Sequence, residues 1–153
     1  MNRRSFLLAA AALPFELPEG EHLRLQGRVL GWTVLRDRLP RPDAPETGML
    51  LVRPQRPVPP ARRAGHLAAT LRAFRPFHFE ALPPEEAVRI AGLPGTAIEA
   101  PAMGIGSRQR VMVHAVCLYG PARSFLLIGS APAAEWEALR PELLRVIDGF
   151  RPG

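Results

Sequence analysis

Four histidines, His22, His66, His78 and His114, and one cysteine, Cys117, are the side chains of this sequence best suited to hold a transition metal. No two histidines fall at a short spacing that one helix face would bring together. His114 and Cys117 are the nearest pair, but three residues apart on a strand they point to opposite faces, because side chains alternate with period two. Cys117 then reads as a small core residue. A lone cysteine also excludes an internal disulfide and any zinc site built on two or more thiolates. Of the four serines, Ser5, Ser107, Ser124 and Ser130, none sits in a Gly-x-Ser-x-Gly elbow. Ser107 belongs to the turn Gly104-Ile105-Gly106-Ser107, which lacks the third glycine and the following helix of a phosphate cradle. Glu85-Glu86 follow two prolines, and these carboxylates predict the first turn of a short helix, where negative charge is favourable, rather than an acid/base pair. No catalytic, cofactor-binding or metal-binding residue is assigned on these grounds, and no cofactor or turnover is expected. Trp32 and Trp136 both lie in apolar stripes and read as core. Should the sheet and the last helix leave a groove, these rings would line it for an apolar peptide or small molecule.

The elements that would carry these residues follow from periodicity. Leu23–Arg36 alternates apolar and polar, with a bend at Gly31, and predicts a half-buried strand pair. Prolines at 40, 42 and 45 make residues 40–48 a surface loop. Met49–Val52 is a short strand stopped by Pro54. Ala61–Arg75 reads as a helix with Leu67, Leu71 and Phe74 on one face, closed by Pro76. Residues 87–91 and 96–100 flank Gly92-Leu93-Pro94-Gly95 as neighbouring extended pieces. Arg110–Tyr119 and Ser124–Ser130, joined by Gly120-Pro121-Ala122-Arg123, form the plainest hairpin. Both faces of that hairpin are apolar, so it belongs in the middle of a sheet covered above and below. Ala133–Phe150 supplies a second helix with the stripe Trp136, Leu139, Leu143, Ile147 and Phe150, and Pro141 predicts a kink or a fresh start within it.

A chain of 153 residues with 47% apolar and 22% charged residues suits one globular domain. No apolar run reaches the ~18 residues that cross a bilayer as a helix. All 20 basic residues are arginine, and the net charge is +6. The opening Met1-Asn2-Arg3-Arg4-Ser5-Phe6-Leu7-Leu8, followed by Ala9–Ala12, has the cationic start, short apolar stretch and small residues of an export signal, and Arg-Arg-Ser-Phe-Leu resembles a bacterial twin-arginine signal. The expected division is an export signal over 1–14, cleaved near Ala12, and a single domain over 15–153 that is periplasmic or secreted, without a transmembrane span. Losing Arg3 and Arg4 takes the charge from +6 to +4. The remaining arginines are interleaved with acids, only Arg62–Arg63 are adjacent, and the ten aromatics fall in core-like patterns, which argues against nucleic-acid binding. The arginine surface leaves acidic partners or anionic headgroups as lesser alternatives.

Ile90-Ala91-Gly92-Leu93-Pro94-Gly95-Thr96-Ala97, the hairpin Val111–Gly129 and the closing Arg140-Pro141 through Ile147-Asp148-Gly149-Phe150 together resemble the PsbP/Mog1 family, which includes DcrB-type bacterial envelope proteins. The likeness covers residues 23 to 152, and its motifs are packing features without chemical specificity. Cys117 lies too deep in the chain to be a lipobox cysteine. The resemblance implies an α+β fold, a mostly antiparallel sheet with helices on both faces in an α/β/α sandwich. It also implies an accessory or scaffold-like role in which a protein partner is bound without catalysis. A small-molecule or lipid-binding module is the second expectation, and an enzyme with an unrecognised site the third.

Overall fold

A computed structural model describes residues 13–153; the expected export signal, all but its last two residues, lies outside the described residues. The sheet begins with β2 (Arg24–Val29) and β3 (Trp32–Arg36), after a two-residue β1 (Phe15–Glu16). β4 (Met49–Gln55) and α1 (His66–Arg72) come next, then the short β5 (Phe77–His78) and β6 (Glu86–Ile90). β7 (Leu93–Gly104), β8 (Arg110–Tyr119) and β9 (Ser124–Pro132) are the long strands, followed by α2 (Trp136–Asp148) and a terminal β10 (Arg151–Pro152). The main sheet is antiparallel, in the order β2-β3-β4-β9-β8-β7-β5, and β6 also pairs with β7. β1 and β10 form a separate ribbon that ties the two ends of the described chain together. The fold is α+β, a mostly antiparallel sheet with two helices.

The expected hairpin is β8–β9, and it occupies the sheet centre. Eight consecutive residues of β9, Ser124–Ala131, are buried. Alternate strand residues enter two separate apolar clusters, as period-two geometry requires. Leu50, Val52, Val116, Leu118, Phe125 and Leu127 pack with Trp136, Leu139, Leu143 and Ile147 of α2. Leu51, Val113, Ala115, Cys117, Leu126 and Ile128 pack with Leu67 and Leu71 of α1. Each such aliphatic side chain stabilises the fold by roughly 1.5–3 kcal/mol on burial.

Several expectations need correction. The helix expected over Ala61–Arg75 is split: Pro60–Arg62 makes one 3-10 turn, and α1 starts only after Gly65, whose φ of +76° is incompatible with a continuous helix. Pro54 does not stop β4, because pairing with β3 ends at Thr33–Val52 and Pro54 faces β9 alone, an edge-like position that tolerates a missing N–H. The turn between β6 and β7 is Ala91-Gly92, not Gly92–Gly95; φ is +53° and +78° there, as in the type I′ turns that suit hairpin twist. α2 runs through Pro141 unbroken, since that residue faces water, where the unpaired carbonyl one turn back can be solvated. Glu85-Glu86 start no helix. Glu86 opens β6, and the Glu85 carboxylate instead accepts the Ala68 N–H at 3.0 Å, capping α1 from a distant loop.

Candidate binding site

β5 and β6 behave as one edge strand interrupted by an insertion. Phe77 and His78 pair with Gly104 and Met103, while Glu86 pairs with Ala97, so seven residues (79–85) span five of β7 (98–102). The excess of two residues forces the loop outward. Phe79 is buried with the α1-side cluster, which anchors one end of the loop, and Glu85 anchors the other at α1.

Beneath this loop lies a groove of about 540 Å³ whose lining includes His78, Glu80, Pro101, Met103, Arg110 and Met112, and which reaches Ala133 just before α2. The register explains its floor. Met103 pairs with Arg110 and Pro101 with Met112, so these side chains share the face that also carries Val116 and α2. Methionine side chains are flexible and polarisable, and accommodate varied apolar partners. One step further along the same face, Glu99 pairs with His114. The Glu99 carboxylate contacts His114 Nδ1 at 2.9 Å and accepts from Arg140 Nε of α2, also at 2.9 Å. Burial works to raise the Glu99 pKa, but the hydrogen bonds from Arg140 and His114 outweigh it and hold the carboxyl below its ordinary value of 4.5. The groove thus combines an apolar floor, a fixed charge cluster beside it, and His78, Glu80 and Arg110 at its rim. A second concavity of about 560 Å³ lies between the β8–β9 loop and residues Pro14, Pro152 and Gly153, and among the described residues Arg123 is its one charged side chain.

The residues singled out from sequence fall in different places. His114 points towards α2 and Cys117 into the α1-side cluster, on opposite faces. The two tryptophans do not share a groove. Trp136 is buried in the α2-side cluster, whereas Trp32 packs on the α1 side, its ring 5.8 Å from Phe74 and the Arg53 guanidinium 4.4 Å above it. His22 contacts Glu142 of α2 at 2.9 Å, and that carboxylate also accepts the His22 and Leu23 N–H groups at 2.8 and 2.6 Å. Ser107 donates to Glu46 at 2.6 Å, and Ser124 to the Arg56 carbonyl at 2.7 Å. Both are structural bonds.

Polar groups do gather near the lone thiol. Thr96 is its cross-strand partner, Tyr119 lies two residues on, and the His66 ring stands 6.2 Å from that of Tyr119. Thr96 Oγ1 and His66 Nε2 are buried without a hydrogen-bond partner. Activation of the thiol would need a lowered pKa. Burial instead pushes Cys117 up to about 11, against the opposing hydrogen bond from Tyr119, and burial raises the Tyr119 phenol as well. The Cys117 thiol and the Tyr119 phenol therefore stay protonated at neutral pH. Among the described residues no three of His, Cys, Asp and Glu are placed to hold a metal ion, and no helix is long and apolar enough to cross a membrane.

Sequence reasoning missed the methionine floor, for which it held no signal, because nine positions separate Met103 from Met112 and only the β7–β8 register brings their surroundings together.

No family profile and no curated protein matches the chain. Solved structures do. LpqN of Mycobacterium tuberculosis, involved in cell envelope biogenesis, aligns at a TM-score of 0.65 and 16% identity over 90% of this chain and 82% of its own. The cyanobacterial PsbP (CyanoP) of Synechocystis sp. PCC 6803 aligns at 0.59 and 13%, over 92% and 87%. A Bacteroides thetaiotaomicron protein aligns at 0.55 and 10%; 92% of this chain is covered, but it spans only 45% of that protein. At these identities the likeness speaks for architecture alone, and the architecture is PsbP-like.

Proposed function

We propose that this chain is an exported bacterial accessory protein, a single α+β domain over residues 15–153, that binds a segment of a protein partner in the groove under the 79–85 loop and performs no catalysis. The observation that carries this reading is the groove itself: an apolar floor of Met103, Met112 and Pro101 with charged groups at the rim. The volume of about 540 Å³ falls within the range that also suits small ligands, so a small-molecule or lipid-binding module is the second reading. Two features support the finer fold, an α/β/α sandwich with a helix on each face: β-strand alternation divides the core in two, and each part contains one helix. Export accords with the twin-arginine-like start and with the envelope role of LpqN. Cleavage near Ala12 would spare Phe15, which is buried against Phe150.

The test is affinity capture from a periplasmic extract with the tagged parent and with Met103→Glu/Met112→Glu. Both methionines are only half-buried, so the variant should fold. A partner held by the parent and lost by the variant, at unchanged melting temperature, supports the proposal. A partner held equally by both moves the site elsewhere. Native mass spectrometry showing a co-purified small molecule, released by the double substitution, would favour the second reading.

A further inference from the structure

The register of the sheet collects four connections at one end: the β2–β3 turn, the segment leaving β4, the β6–β7 turn and the β8–β9 loop. With their adjoining strand residues (28–32, 53–65, 89–93 and 119–124) they contain Arg28, Arg53, Arg56, Arg62, Arg63, Arg89 and Arg123, and neither Asp nor Glu. Among the described residues none of these seven guanidinium groups is ion-paired. The opposite end is mixed in sign: Arg38 pairs with Glu135 at 2.8 Å, Arg41 with Asp43 at 3.7 Å and Ser107 holds Glu46, while Arg108 and Arg110 form no ion pair among the described residues. Charges interleaved along the sequence are thus sorted by the fold into an arginine row across one sheet end, with the nearby Glu85 carboxylate held by the Ala68 N–H.

At a corner of that row stand two apolar side chains with no core to serve. Val29 is 59% and Leu30 92% exposed. Leu30 also occupies the left-handed region at φ +51°, in a turn that asparagine or glycine would form with less strain. An outward-facing leucine held in a strained turn, beside Arg28 and Arg53, combines an apolar tip with cations at the same level. A folded acidic protein surface would match the cations but gives no reason for the exposed leucine; a bilayer of anionic lipids matches both.

We propose that this end of the sheet docks on an anionic lipid surface, with the arginine row on the headgroups and the Val29-Leu30 tip entering the acyl boundary. The surface is separate from the methionine groove, so the two readings stand or fall independently.

The experiment is co-sedimentation of the full chain with vesicles of equal parts phosphatidylglycerol and phosphatidylcholine, and with phosphatidylcholine alone. Arg3 and Arg4 lie in every variant, so comparison between variants isolates the folded surface. Arg56→Gln/Arg62→Gln/Arg123→Gln should weaken binding to the anionic vesicles on the order of a hundred-fold, about five-fold per cation. Leu30→Asn, which suits the turn, should weaken it about ten-fold. Arg41→Gln/Arg108→Gln at the other end should leave it within about two-fold. Binding should vanish on phosphatidylcholine alone and at about 1 M salt, where the Debye length is about 3 Å. Absence of binding to the anionic vesicles overturns the proposal, as does equal binding by all variants. If the triple variant loses affinity while Leu30→Asn does not, and polyglutamate competes as well as vesicles, the row recognises a polyanion rather than a bilayer, and the proposal fails.

Discussion

Glu142 offers a quantitative test of how the N-terminal segment is fastened to the sheet. It sits on α2 with a side chain only 7% exposed, yet its carboxylate reaches back 119 and 120 residues to accept the Leu23 and His22 N–H groups. Glu142→Ala leaves the fully buried Leu23 N–H without an acceptor. An unmet buried donor costs about 1–3 kcal/mol, and losing the second, partly solvated bond adds about 1 kcal/mol, for a total of about 2–4 kcal/mol. For a chain of this size that lowers the melting temperature by roughly 5–15 °C. Glu142→Gln keeps one acceptor oxygen for the two backbone N–H groups but loses the charge and the acceptor facing His22 Nδ1, about 1–2 kcal/mol. The pH dependence follows from two opposite shifts. Burial acts to raise the Glu142 pKa, but the Leu23 and His22 hydrogen bonds outweigh it and the net shift is downward from 4.5. Its stabilisation is therefore present above that ordinary value and disappears as pH falls through the lower folded value. His22 is raised from 6.5, mainly by its hydrogen bond to Glu142, so its smaller contribution is complete below 6.5 and fades as pH rises through the folded value. Urea and thermal unfolding followed by circular dichroism should therefore show the parent most separated from Glu142→Gln near pH 6, with the gap closing under acid. Equal stability of parent, Gln and Ala variants at pH 6 would refute the assignment of Glu142 as the fastening.

Other expectations follow from single contacts. A Cβ on Gly129 would stand 2.5 Å from a Leu143 methyl, so Gly129→Ala should cost about 1–3 kcal/mol by pushing α2 off β9, and combining it with Leu143→Ala should be less than additive in a double-mutant cycle. Cys117 is buried and its thiol is pushed up to about 11, so native labelling by a thiol reagent at pH 8 should be slower than in urea by at least about a hundred-fold; fast native labelling would reopen the case for a nucleophile. The lowered Glu99 pKa means that its contribution is held above 4.5 and lost as pH falls through the folded value. Arg140→Gln should therefore flatten the acid limb of the stability profile measured by thermal unfolding.

What the sequence revealed were features that a local pattern encodes. The β8–β9 hairpin was legible because both faces of both strands are apolar, and α2 because Trp136, Leu139, Leu143 and Ile147 recur at helical spacing. The 79–85 loop was not, since its outward course comes from a register difference of two between β5 and β6 that neither short strand announces. Glu85, after two prolines, has the local pattern of a helix start of its own, yet it serves the N-terminus of α1, 17 residues before it. Both tryptophans sit in apolar stripes and look alike in the sequence, yet strand parity puts Trp32 against one apolar cluster and α2 holds Trp136 in the other. The sorted arginine row had no sequence signature at all, because it exists only once the connections at one sheet end are counted together.

The groove makes one direct demand on the four methionines of this chain. With the methyl groups carbon-13 labelled and the captured partner added, Met103 and Met112 should shift in the NMR spectrum while the buried Met49 stays in place. Unmoved Met103 and Met112 signals in a complex that demonstrably forms would contradict the account.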